Sequence, residues 1–81
     1  MTHNADTVAL TLDTSGVCCP MPIVQTRQAI DQIEVGQILE VIATDPGSRV
    51  DLPAWAANTG HELLTAEQNG DGFRFLVRRV K

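Results

Sequence analysis

In residues 8–12, Val8, Leu10 and Leu12 alternate with Ala9 and Thr11, the period-two pattern of a strand with one face buried. Asp13-Thr14-Ser15-Gly16 breaks that pattern. Further on, Ile23, Thr26, Ile30 and Ile33 share one helical stripe while Gln25, Arg27, Gln28 and Asp31 are polar, which predicts an amphipathic helix ending near Gly36. Residues 38–43 are apolar and branched except for Glu40, the composition of a strand buried on most of both faces.

A second helix is expected from Asp45-Pro46, with Asp45 as N-cap and Pro46 as the first helical residue. Val50, Ala54 and Ala57 give it a short apolar stripe, and Gly60 is placed to end it in a left-handed conformation. Pro53 lies beyond the tolerant first turn, so the start of this helix is expected to be irregular. Residues 62–68 and 73–80 read as two strands joined through Asn69-Gly70-Asp71-Gly72, a hairpin loop by composition. In the last strand Phe73, Phe75 and Val77 face one way, and Arg74, Leu76 and Arg78 the other.

The resulting order is β-α-β-α-β-β. It predicts an α/β two-layer sandwich of the α+β kind, with two helices packed on one face of a four-stranded mixed sheet. A right-handed crossover through the first helix makes the first two strands parallel, and the closing hairpin is antiparallel. The 81 residues, 43% hydrophobic, suffice for one small core. Residues 1–7 read as a flexible N-terminal extension and residues 8–81 as a single domain, with nothing that demands more than a monomer.

The opening Met1-Thr2-His3-Asn4-Ala5-Asp6 has no basic region followed by an apolar one, and no apolar run approaches the length of a membrane span. A cytoplasmic location is the expectation. Cys18 and Cys19 are adjacent and cannot staple distant parts of a fold, which agrees with a reducing compartment.

Charge is unevenly spread. Residues 1–73 hold two basic residues against ten acids, a formal charge of −8, whereas residues 74–81 carry +4 from Arg74, Arg78, Arg79 and Lys81. Such a basic edge can steer an acidic partner protein, or it can be a solvated strand end with gatekeeping charges. A sequence pI of 4.8 and the lack of tyrosine leave little attraction for nucleic acid.

The chemistry concentrates in Cys18-Cys19-Pro20-Met21-Pro22, where a polar loop gives way to the first helix. With Cys19 as N-cap, Pro20 and Pro22 occupy the first and third helical positions, inside the turn that tolerates proline. The Cys19 sulfur then faces unpaired N–H groups, that of Met21 first, and the positive end of the helix dipole. Both favour thiolate over a thiol of ordinary pKa about 8.5. The local physics equally admits a cysteine buried as a small apolar residue.

Taken together these residues resemble the small TusA-like sulfur carriers, also called the SirA family. The resemblance rests on Cys19-Pro20-Met21-Pro22 as the Cys-Pro-x-Pro signature, preceded by Leu12-Asp13 and Gly16. It continues through Asp45-Pro46, Asp51-Leu52-Pro53, Trp55, Gly60-His61-Glu62-Leu63 and the closing aromatic and basic strand, covering residues 10–79. It implies a two-layer sandwich similar to the C-terminal domain of a bacterial translation initiation factor. It also implies that Cys19 carries sulfur as a persulfide, taken from a cysteine desulfurase or rhodanese-like donor and handed to the cysteine of an acceptor relay protein. No metal or organic cofactor is implied, and the activity is that of a sulfurtransferase-type carrier, not of a multi-turnover enzyme on a small substrate.

Pro20, Met21 and Pro22 shape this site, while Cys18 and Asp45 are accessory candidates. Arg27, two helical turns after Cys19, joins Arg74, Arg78 and Arg79 as candidate docking charges. Asp13 and Asp45 read first as turn and cap residues, because an acid beside a thiolate disfavours its charge. Cys18 varies within the family and reads as a space-filling residue, since its attack on a Cys19 persulfide would close a strained ring. His3 and His61 do not match zinc-ligand spacing, and Trp55 reads as a packing residue between helix and sheet. Two competing functions stand beside the carrier: a non-catalytic adaptor using the same surface, and a redox sensor using Cys18 and Cys19.

Overall fold

The computed structural model describes residues 8–17, 21–70 and 72–81. Its elements are β1 (Val8–Thr14), α1 (Met21–Ile30), β2 (Ile38–Ala43), α2 (Ser48–Thr59), β3 (Glu62–Asn69) and β4 (Gly72–Arg78). The sheet order is β1-β2-β4-β3, with β1 and β2 parallel and the other two pairings antiparallel. Element order, helix count and mixed sheet agree with the sequence pattern. Among the described residues no helix is long and apolar enough to cross a membrane.

β2 is central, with Leu39, Val41 and Ala43 fully buried toward the helices. α1 covers it with Thr26, Ala29 and Ile30, and α2 with Leu52, Trp55 and Ala56, while β4 adds Phe73, Phe75 and Val77. Thr26 is polar within this layer. Its hydroxyl donates to the Pro22 carbonyl at 2.6 Å and is satisfied, whereas the buried Trp55 Nε1 of the same layer has no hydrogen-bond partner among the described residues.

Glu40 points to the helix-free face of β2, where its carboxylate accepts from the Thr11 hydroxyl at 2.8 Å and is bonded by the Arg74 guanidinium. Arg74 also reaches Glu67 at 3.5 Å, so one polar row crosses all four strands. The Arg74 bond first, and the Thr11 bond second, hold the Glu40 carboxyl below its usual range.

Several boundaries differ from the pattern. β1 continues to Thr14, which is fully buried and donates to the Ile42 carbonyl at 2.6 Å, so the polar run begins inside the strand. α1 stops at Ile30 instead of near Gly36. The Gln32 N–H bonds the Ala29 carbonyl in a tightened turn that still buries Ile33, so the apolar period outlasts the helix.

The start of α2 is corrected further. Asp45 is not its cap and Pro46 is not its first residue: the N-cap is Gly47, without a side-chain bond. The Asp45 and Pro46 carbonyls accept from Ser48 and Arg49 in turns that precede the helix, which then runs through Pro53. The buried stripe is Ser48, Leu52, Trp55 and Ala56, not Val50, Ala54 and Ala57; Val50 is 72% exposed. A helix has one orientation to give, and the large Leu52 and Trp55 take the sheet side at the expense of the smaller residues. Gly60 ends α2 at φ 84° as expected, its N–H on the Ala56 carbonyl. The closing hairpin pairs Asn69 with Gly72, and Asp71 lies outside the described residues.

Leu52→Ala is expected to cost about 2–5 kcal/mol in urea unfolding through the cavity it leaves, whereas Val50→Ala should stay within about 0.5 kcal/mol. Equal losses would mean that the stripe is misplaced. Because the Glu40 pKa is lowered in the folded state, its contribution is present above the unfolded value near 4.5 and is lost as pH falls through the folded value. Glu40→Gln should therefore melt lower than the parent at pH 7, by roughly 4–8 °C for a loss of about 1 kcal/mol. The gap should close in melts taken progressively below pH 4.5.

Candidate functional site

Parallel pairing ends β1 and β2 at the same edge of the sheet, with Thr14 beside Ala43 in the last step of the ladder. The loops that lead into α1 and α2 therefore leave side by side, the position at which open α/β sheets present ligands.

The loop after β1 is built as a turn. The Val17 N–H bonds the Thr14 carbonyl at 3.0 Å across Ser15 and Gly16, and Gly16 has φ 78°. A turn with positive φ at its third residue favours glycine there, which is why Gly16 occupies it. The Ser15 N–H donates to Asp13 Oδ1 at 2.9 Å, and bonding from Ser15 holds that carboxyl below its ordinary range. Asp13 thus acts as the turn residue the pattern suggested. The Gly16 N–H donates across to Thr44 Oγ1 at 2.8 Å, joining this loop to the one after β2.

Cys18, Cys19 and Pro20 lie outside the described residues, and so do Cys19 as N-cap, its bond from Met21 and Pro20 as first helical residue. The flanks are described. Met21 opens α1 with its side chain 45% exposed, and Pro22 behind it is buried. Asp45 sits half-buried in the neighbouring loop, two residues before the N-cap of α2.

Arg27 lies on the exposed side of α1 at the rim of a groove between the two helices. The groove measures about 570 Å³ and is lined also by Ile23, Ala54, Trp55 and Asn58. Among the described residues Arg27 has no ion-pair partner. The other candidate docking charges are already bonded: Arg74 to Glu40 and Glu67, Arg78 to Glu62 at 3.0 Å, and Arg79 to the Ile33 and Lys81 carbonyls.

His61 accepts the Val80 N–H on Nδ1 at 3.1 Å, and its ring lies 5.5 Å from that of Trp55. Burial, with Arg79 and Lys81 adding to it, pushes the His61 pKa down, so the neutral acceptor form is the one that holds the C-terminal segment. Trp55 is 8% exposed and packs in the core as expected. Among the described residues no three metal-ligating side chains come together. Residues 1–7, His3 included, lie outside the described residues. The Gly16–Thr44 bond was not legible beforehand, since nothing in a linear pattern pairs residues 28 positions apart.

These features define a small open-faced α/β sandwich whose two parallel-strand loops meet at one edge. The chain belongs to the TusA family: residues 10–79 match the family model described as Sulfurtransferase TusA. It is 48% identical over 68 residues to the putative sulfur carrier protein YrkI of Bacillus subtilis, covering 84% of this chain and 91% of that one. It is 44% identical over 68 residues to the sulfur carrier protein TusA of Allochromatium vinosum, covering 84% and 90%. The fold matches the crystal structure of a SirA-like protein from Desulfitobacterium hafniense with a TM-score of 0.76 at 22% identity, over 89% of this chain and 99% of that one.

A Cβ at Gly16 would meet nothing within 4 Å, so Gly16→Ala tests the backbone alone. The positive φ should make it destabilising by roughly 1 kcal/mol in urea unfolding. A neutral or stabilising result would remove the turn assignment.

Proposed function

We propose that the protein is a sulfur carrier that holds sulfane sulfur as a persulfide on Cys19 and passes it to the cysteine of a partner. The observation that carries this reading is the family match over residues 10–79, a span that includes Cys19-Pro20-Met21-Pro22, which resembles a Cys-Pro-x-Pro signature. Relatives named as sulfur carriers, and a sheet edge where the flanking Val17 and Met21 are partly and largely exposed, support it.

The chemistry is two thiol–disulfide exchanges without net redox change. The Cys19 thiolate attacks the outer sulfur of a donor persulfide, the donor's S–S bond breaks, and the donor leaves as a thiolate that takes up the proton Cys19 gave up. An acceptor thiolate then attacks the outer sulfur on Cys19, and Cys19 leaves as thiolate. Amides at the start of α1, which opens at Met21, stabilise either anion, and the transfer draws on no metal or organic cofactor. A reducing, cytoplasmic setting keeps the thiol available.

The donor is a cysteine desulfurase or rhodanese-like protein, and the acceptor a relay protein with its own cysteine. Arg27, beside the interhelical groove, is the docking charge left unpaired among the described residues. The adaptor reading draws on the basic C-terminal residues, and the engagement of Arg74, Arg78 and Arg79 within the fold weakens that basis.

Incubation with a cysteine desulfurase and cysteine, followed by intact mass measurement, should show sulfur-sized additions that disappear in Cys19→Ser. Undiminished loading of Cys19→Ser would overturn the assignment of the site.

A further inference from the structure

At the shared end of β1 and β2 two threonines stitch the strands in opposite directions. Thr14, on β1, donates its hydroxyl to the Ile42 carbonyl of β2. Thr44, just past β2, accepts the Gly16 N–H from the loop beyond β1. The two bonds differ in what else enforces them. Thr14 belongs to a ladder whose backbone pairing already sets its place, whereas Gly16 lies past the last ladder pair.

The amides of this turn differ in the same way. The Ser15 N–H is satisfied by Asp13 and the Val17 N–H by Thr14, both within the turn itself. Those two bonds shape the turn but do not say where it sits over the sheet. The Gly16 N–H reaches a different loop, and it alone of the three amides fixes the turn against the end of β2. Thr44 suits the task because a β-branched side chain has a restricted χ1, so its hydroxyl is held in place before the bond forms.

We propose that Thr44 is a positioning residue for the chemistry at Cys19: by anchoring Gly16 it sets where the chain enters the segment that carries the thiol. This inference rests on the reading of Cys19 as the nucleophile. Cys19 follows Gly16 by three positions, with only Val17 and Cys18 between them, so the anchor lies within a chain reach of at most about 11 Å of the thiol-bearing residue. The Gly16–Thr44 bond is exposed, and on its loss the Gly16 N–H turns to water with little effect on the fold. Loss of Thr44 is therefore felt in the thiol and not in stability. The acids of the two loops, Asp13 and Asp45, are unchanged by it, as are Arg49 and Asp51 in the first turn of α2.

The test uses the full chain in a Cys18→Ser background, so that alkylation by iodoacetamide reports Cys19 alone. Thr44→Val keeps the shape and removes the acceptor; Thr44→Ser keeps the acceptor. Thr44→Val is expected to slow alkylation at neutral pH about fivefold, the worth of one ordinary hydrogen bond. Its pH profile should move upward toward that of a free thiol, while the urea midpoint stays near the parent's. Thr44→Ser should restore rate and profile. A Thr44→Val profile identical to the parent's would overturn the proposal. So would a variant that loses urea midpoint while its folded fraction alkylates like the parent, because Thr44 would then be structural only. Sulfur loading from a desulfurase and cysteine, measured in parallel by intact mass, separates the two readings. A parent that accepts no sulfur refutes the carrier, and a parent that loads while Thr44→Val keeps the parent profile refutes the anchor alone.

Discussion

The burial of the helix-facing row of β2, Leu39, Val41 and Ala43, is the constraint from which the other arrangements follow. That row is closed over by α1, which packs on β1 and β2, and by α2, which packs on β3 and β4, so both helices share in covering the strand. Its opposite face carries Glu40, a carboxylate that cannot stay half-buried unless its oxygens are bonded. Thr11 on β1 and Arg74 on β4 meet that need from the two neighbouring strands, so the polar row and the apolar layer both fix the same register. A one-residue slip would turn Glu40 into the core and Val41 out of it.

Because β1 joins β2 in parallel through α1, the crossover returns the chain to the same end of the sheet from which it left. That geometry makes a shared edge for the loops after β1 and β2, whose ordering rests on local chemistry. Asp13, Gly16 and Thr14 form a self-satisfied turn, and Thr44 ties it to the adjacent loop. In this chain of the TusA family, residues 18–20 connect Val17 at this edge to Met21 at the start of α1.

The charge distribution has a similar resolution. A chain acidic through residue 73 and basic thereafter reads as two regions of opposite sign. The sheet interleaves them, since β4 lies between β2 and β3 and sets Arg74 and Arg78 against Glu40, Glu67 and Glu62. Much of the basic edge is spent inside the domain, and Arg79 closes the C-terminal segment against the turn after α1. Arg27, by the interhelical groove, takes part in none of these ion pairs.

The order of elements, the central strand, the hairpin at Gly70 and the helix end at Gly60 were all legible in the sequence, because each depends on a local period or on a residue with a special backbone preference. The side of α2 that is buried was not: Val50, Ala54 and Ala57 form as regular a stripe as Leu52, Trp55 and Ala56, and the choice between them belongs to the volume the sheet leaves open. Nor could Asp45-Pro46 reveal that it forms a turn and not a cap, since both use the same residues. The partners of Glu40, Gly16 and Arg79 lie 34, 28 and 46 positions away, and such pairings exist only once the strands are in register. Local preference decided which elements form, and long-range packing decided which of their faces and bonds became the protein.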